Sequence, residues 1–130
     1  MSVTYPKGFM AAGISCGLKK DKKDLALVVN TGIKYDASAV FTSNQIKAAP
    51  VLWTQEVIKQ KKLKAVLVNS GGANACTGAK GFKDTHQSAE ILANKLSIGS
   101  AQIGICSTGL IGKRLDIKKI ENGITEAVTK

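Results

Sequence analysis

The sequence predicts a mixed α/β fold, a layered mixed sheet with helices packed on it. Three observations carry this. Residues 25–29 (LALVV) and 65–68 (AVLV) are apolar runs with the length and continuity of strands buried on both faces. Residues 82–96 and 117–128 place their apolar side chains at helical spacing. The strand-like runs at 65–68 and 102–106 each break into a glycine-bearing stretch, followed later by a helix, as in α/β proteins that aim backbone N–H groups at an oxyanion.

Taken in order, residues 8–18 (GFMAAGISCGL) alternate loosely and hold three glycines, which predicts a strand with a bend or bulge. A charged turn covers residues 19–24, and residues 24–30 (DLALVVN) form the second strand. Thr31-Gly32 turns the chain, and residues 37–41 (ASAVF) predict a third strand antiparallel to the second. Pro50 suits the first turn of a short amphipathic helix that runs to about Gln60, with Trp53 and Val57 one turn apart. The strand at 65–68 is expected to end in a turn at Asn69-Ser70. The next helix starts near Lys80 and carries Phe82, Ala89, Leu92, Ala93 and Leu96 on one face, with Asp84 and other polar residues elsewhere and His86 at the edge. A strand at 102–106 (QIGIC) is expected to turn at Ser107-Thr108-Gly109. The last helix has Asp116 as N-cap and Ile117, Ile120, Ile124 and Val128 as its stripe. Gly123 interrupts it, at a cost of about 1 kcal/mol relative to alanine.

The 130 residues amount to one domain or one lobe of a domain. Folding a chain of this length buries roughly two-thirds of its surface. No apolar run approaches the ~20 residues that span a bilayer, and the N-terminus has no apolar signal core, so a cytoplasmic location without membrane contact is the default. The formal charge of +10 raises the question of nucleic acid. Against it, Arg114 is the only arginine, aromatics do not alternate with the lysines, and the lysines fall in loops and on polar helix faces. Cys16, Cys76 and Cys106 are too far apart for a CxxC, and His86 is the only histidine, so a structural zinc site cannot be assembled. Free thiols follow. Cys76 lacks the neighbouring base that a nucleophilic thiol needs.

Two stretches invite chemistry. Residues 69–81 are neither a P-loop nor a GxGxxG fingerprint. Their glycines leave two readings open, a tight structural crossover and an anion nest serving a non-catalytic nucleotide-binding module. In Ser107-Thr108-Gly109, a hydroxyl and an unobstructed N–H follow a strand, as acyl transfer requires of oxyanion donors. The plain alternative is a strand end with a turn.

The blocks NSGGANACTG at 69–78 and CSTGLIG at 106–112 resemble motifs of the N-terminal (α) part of the ornithine acetyltransferase family, the bifunctional glutamate N-acetyltransferases of arginine biosynthesis. Pro6-Lys7-Gly8-Phe9, Ala11-Ala12-Gly13 and VFTSNQIKAAPVLW at 40–53 match it too, so the resemblance covers nearly the whole chain. It implies that Thr108 and Gly109 form an oxyanion hole, with no metal and no tightly bound cofactor. It further implies a threonine nucleophile, exposed downstream when a precursor cleaves itself into α and β chains. Residues 1–130 would then be one lobe, ending before that cleavage site and incomplete without the β chain. The implied assembly has two α and two β chains. The implied substrates are N-acetylornithine and glutamate, with acetyl-CoA a donor in some members. The lobe alone would be inactive.

Overall fold

The computed structural model describes residues 2–130; Met1, part of the N-terminal segment read above, lies outside the described residues. Strands β1 (Phe9–Ile14) and β2 (Leu25–Asn30) pair antiparallel in unbroken register from Phe9–Asn30 to Ile14–Leu25. The expected bulge is therefore absent from β1. Its flanking glycines, Gly8 and Gly17, take positive φ outside the strand, so the bends fall at its ends.

Asp24 closes this hairpin. It is 3% exposed, and its carboxylate accepts the N–H groups of Cys16 and Lys19, both at 2.7 Å. Burial alone would raise its pKa, but the N–H groups of Lys19 and Cys16 outweigh that and hold the carboxyl below its ordinary value. Asp24 therefore contributes stability above the unfolded pKa of about 3.9, and the contribution is lost as pH falls through the lower folded value. Asp24→Asn should cost roughly 1.5–3 kcal/mol near neutral pH. In urea melts of the full-length protein the gap from wild type should close in acid. A gap independent of pH would mean that charge is not what holds the loop. The same carboxylate, after burial itself, pushes the Cys16 thiol up to about 11 and leaves it unreactive at neutral pH.

After β2 the chain passes residues 37–47 without forming a strand. The expected third strand at 37–41 is corrected to an extended segment tethered by an Asp36–Lys62 bridge. The reason is topological: β1 and the next strand occupy both edges of β2, which leaves no partner. Helix α1 (Ala49–Val57) begins with proline in its first turn, as expected, and continues as a 3-10 turn at Ile58–Gln60.

Strand β3 (Ala65–Gly72) adds antiparallel to β2, and β4 (Ile103–Leu110) adds parallel to β3, giving the order β1-β2-β3-β4. Helix α2 (Gly78–Leu96) makes the β3–β4 crossover, and α3 (Ile117–Val128) follows β4. Asp116 caps α3 by accepting the N–H groups of Lys118 and Lys119. One sheet face contributes Leu25, Leu27, Ala65, Leu67, Ile103 and Ile105 to a core shared with α2 and α3. The alternate residues Ala26, Val28, Val66, Val68 and Cys106 stay partly or fully exposed on the other face.

The buried face of α2 differs from the expected stripe. Phe82 is 38% exposed and lies against the Trp53 ring, while Asp84, Thr85 and Ser88 are buried. Asp84 tolerates burial because Arg114 reaches it with two charge-assisted bonds, Nε to Oδ2 at 2.7 Å and Nη2 to Oδ1 at 2.6 Å. Gly123 also acquires a reason. A Cβ there would stand 2.6 Å from the Cys16 Cβ and 2.7 Å from Leu25, so the missing side chain lets α3 approach the hairpin.

Candidate active site

Both glycine-bearing stretches lie side by side at the carboxyl ends of the parallel pair, the end where open α/β sheets bind ligands. The register sets Asn69 against Ser107, Ser70 against Thr108, Gly71 against Gly109 and Gly72 against Leu110. The expected turns at Asn69-Ser70 and at Ser107-Thr108-Gly109 are therefore corrected to strand, and both strands run four residues further than their apolar runs. A sequence-local reading ends a strand where glycine begins. Here each stretch supplies the ladder partner that keeps the other extended.

The glycines serve this contact. Gly109 has φ 129, and a Cβ on it would come within 2.7 Å of the Gly71 carbonyl carbon and the Gly72 nitrogen. No L-residue fits against backbone at that distance. With Gly71 and Gly72 committed to β3, the glycine-loop anion nest loses its main component. The turn itself falls at residues 73–77 and folds around Asn74, which is fully buried at φ 50. Its amide donates to the Gly81 carbonyl at 2.8 Å and to Thr85 Oγ1 at 2.9 Å, and its Oδ1 accepts from Thr77 Oγ1 at 2.7 Å. This polar knot is structural.

The direction of backbone groups on β4 follows from its free edge, which α1 covers in part. Trp53 Nε1 donates to the Ile103 carbonyl at 2.9 Å. The Thr54 hydroxyl donates to the Ile105 carbonyl at 2.9 Å and accepts the Ile105 N–H at 3.0 Å. Main-chain groups alternate in direction along a strand, so those of Ser107 and Gly109 face this same outer edge. The far end agrees, since the Leu110 carbonyl turns back to accept the Ala73 N–H at 2.9 Å. Thr108 falls on the open sheet face with Cys106 and is exposed. A free N–H at Gly109 and a hydroxyl at Thr108 thus sit on consecutive residues at an accessible strand end.

The remaining chemical candidates go elsewhere. His86 packs on Trp53, with ring centroids 5.0 Å apart, and faces Glu90 at 3.4 Å. Cys76 and Cys106 are exposed free cysteines. Among the described residues no cluster of three or more His, Cys, Asp or Glu is placed to hold a metal ion, and no helix is long and apolar enough to cross a membrane. Sequence reasoning missed two polar pairs beside the strand ends, Asn69–Ser107 and Asp84–Arg114. An asparagine directly after a buried apolar run was the available signal for the first; the second joins residues 30 apart and left none.

A family model described as the ArgJ family matches residues 10–130. The chain belongs to the ArgJ family. Among its relatives, the arginine biosynthesis bifunctional protein ArgJ of Streptomyces coelicolor is 56% identical over 128 residues, 98% of this chain and 33% of that protein. The ArgJ protein of Mycobacterium tuberculosis is 53% identical over 132 residues, again 33% of its length. The chain thus spans about a third of the curated ArgJ relatives it matches. Its fold superposes on the crystal structure of M. tuberculosis ornithine acetyltransferase complexed with ornithine, at a TM-score of 0.97 and 52% identity, covering 98% of this chain and 69% of that one. The Bacillus halodurans ArgJ structure gives a TM-score of 0.92 at 42% identity, covering 95% and 65%.

Proposed function

We propose that this chain is the N-terminal lobe of a glutamate N-acetyltransferase that takes its acetyl group from N-acetylornithine, or from acetyl-CoA, and supplies the oxyanion hole. The observation that carries the reading is the pairing of the two glycine stretches, which leaves the Gly109 N–H and the Thr108 hydroxyl available together at one strand end.

In this reading, a threonine hydroxyl from the part of the protein beyond residue 130 attacks the acetyl carbonyl of N-acetylornithine. As the C–O bond forms, the carbonyl oxygen takes up negative charge and is met by the Thr108 hydroxyl and the Gly109 N–H. Collapse breaks the C–N bond. Ornithine leaves with the proton that the threonine gave to its own α-amino group, and an acetyl-threonine remains. Glutamate then attacks this ester with its amine through a second oxyanion at the same donors, and threonine is regenerated. Preorganised donors of this type act only where charge develops, so they raise kcat rather than affinity. Residues 1–130 hold the donors and not the nucleophile, so the lobe alone transfers nothing.

The partner is the β chain of the same precursor, in an assembly of two α and two β chains. Two observations support it. The matched stretch makes up 69% of the M. tuberculosis solved chain but 33% of its curated relative, so the solved chain is roughly half as long. Among the described residues, the sheet face that carries Val68 and Cys106 leaves both exposed.

The test is transfer by the full-length protein. With N-acetylornithine labelled in its acetyl group, the label should reach glutamate and, in an acid quench, one threonine-initiated peptide. Thermal stabilisation by nucleotides without any movement of label would replace this reading with the binding-module one.

A further inference from the structure

Asn69 lies on β3 beside the strand that carries the candidate oxyanion donors, and its side chain bonds to both β3 and β4. It is 4% exposed. Its Oδ1 accepts the Ser107 hydroxyl at 2.5 Å, across the register pair of β3 and β4. Its Nδ2 donates to the Gly72 carbonyl at 3.2 Å. The peptide that begins with that carbonyl is held at its other end too, because the Ala73 N–H donates to the Leu110 carbonyl at 2.9 Å. The backbone of Gly71 and Gly72 is in turn the surface against which Gly109 packs, so closely that a Cβ would meet it at 2.7 Å.

These contacts form a short mechanical chain. Ser107, the residue before Thr108, is tied to Asn69. Asn69 fixes the Gly72 peptide, and that peptide limits where the Gly109 backbone can sit. The buried amide uses both of its ends, one on each strand. We infer that Asn69 and Ser107 are positioning residues for the oxyanion donors: their hydrogen bond sets the separation and tilt of the two glycine segments, and so the aim of the Gly109 N–H. Neither residue touches substrate. Oxyanion stabilisation depends on donors held about 3 Å from where charge appears, and small misplacements cost rate without costing affinity.

The inference rests on the acetyltransferase reading, and the experiment separates the two. In the full-length protein, Ser107→Ala, Ser107→Val and Ser107→Thr are compared with wild type for kcat and KM in acetyl transfer from N-acetylornithine. Valine and threonine have nearly the same shape and both suit a strand, so that pair isolates the hydroxyl even if alanine loosens the fold. The expected result is a fall in kcat of about tenfold or more for Ala and Val, with KM unchanged and kcat recovered in Thr. A kcat in Val equal to that in Thr would overturn the positioning role while leaving the acetyltransferase reading intact. No transfer by wild type would remove the reaction itself, and the inference with it.

Discussion

Thr108→Ala in the full-length protein lowers kcat for acetyl transfer by about 10²–10³-fold, with KM for N-acetylornithine nearly unchanged; this is the expected result for loss of one oxyanion donor, about 3–4 kcal/mol of barrier. The fold predicts little collateral damage. Thr108 is exposed on the open sheet face, and its N–H and carbonyl stay in the β3 ladder whatever its side chain. Alanine keeps that backbone and removes only the hydroxyl. Thr108→Ser should therefore return most of the turnover, because it restores a donor at the same carbon. Steady-state kinetics on the two variants decide the matter. A Thr108→Ala enzyme with wild-type kcat would take the hydroxyl out of the mechanism and leave the Gly109 N–H as the donor to explain.

Gly109→Ala should damage stability and turnover together. Two costs coincide there. The backbone holds φ 129, a region that L-residues avoid at roughly 1–3 kcal/mol. The added Cβ also lands 2.7 Å from main-chain atoms of Gly71 and Gly72, which cannot rotate out of the way as a side chain could. Forcing β3 and β4 apart adds about 1–3 kcal/mol, so the total loss is about 2–6 kcal/mol. It falls where the donors are aimed, so kcat should drop together with thermal stability. Gly112→Ala provides the control. Gly112 also has positive φ, 81, but its Cβ position has nothing within 4 Å, so only the conformational cost applies. Melting curves and turnover of the two variants should differ sharply. Equal losses would mean that backbone strain, not the close approach of the strands, is what Gly109 relieves.

Much of the architecture was legible in local sequence. Pro50 marked the first turn of α1, and Asp116 marked the cap of α3. The apolar runs at 25–29 and 65–68 marked β2 and the start of β3. The proposed oxyanion donors Thr108 and Gly109 were legible as a hydroxyl and a bare N–H after a strand, and the family blocks narrowed the role proposed for them. The misreadings share one cause. Residues 37–41 have strand composition, but β2 already has a neighbour on each side. Asp84 looks like a surface residue of α2 until Arg114, 30 positions later, arrives to neutralise it. Residues 69–72 and 107–110 look like turns because glycine weakens a strand in isolation, yet each becomes strand when the other lies beside it.

Composition, periodicity and caps by themselves determined which segments are helices and where the apolar strands begin, because those depend on neighbours within a few residues, while the matching sequence blocks carried the family resemblance. Where the strands end, which charges are buried and how closely the two glycine stretches approach were decided only by the tertiary structure. Each of these depends on a partner distant in the chain, and a hydrogen-bond ladder or an ion pair has no energy until both halves are present.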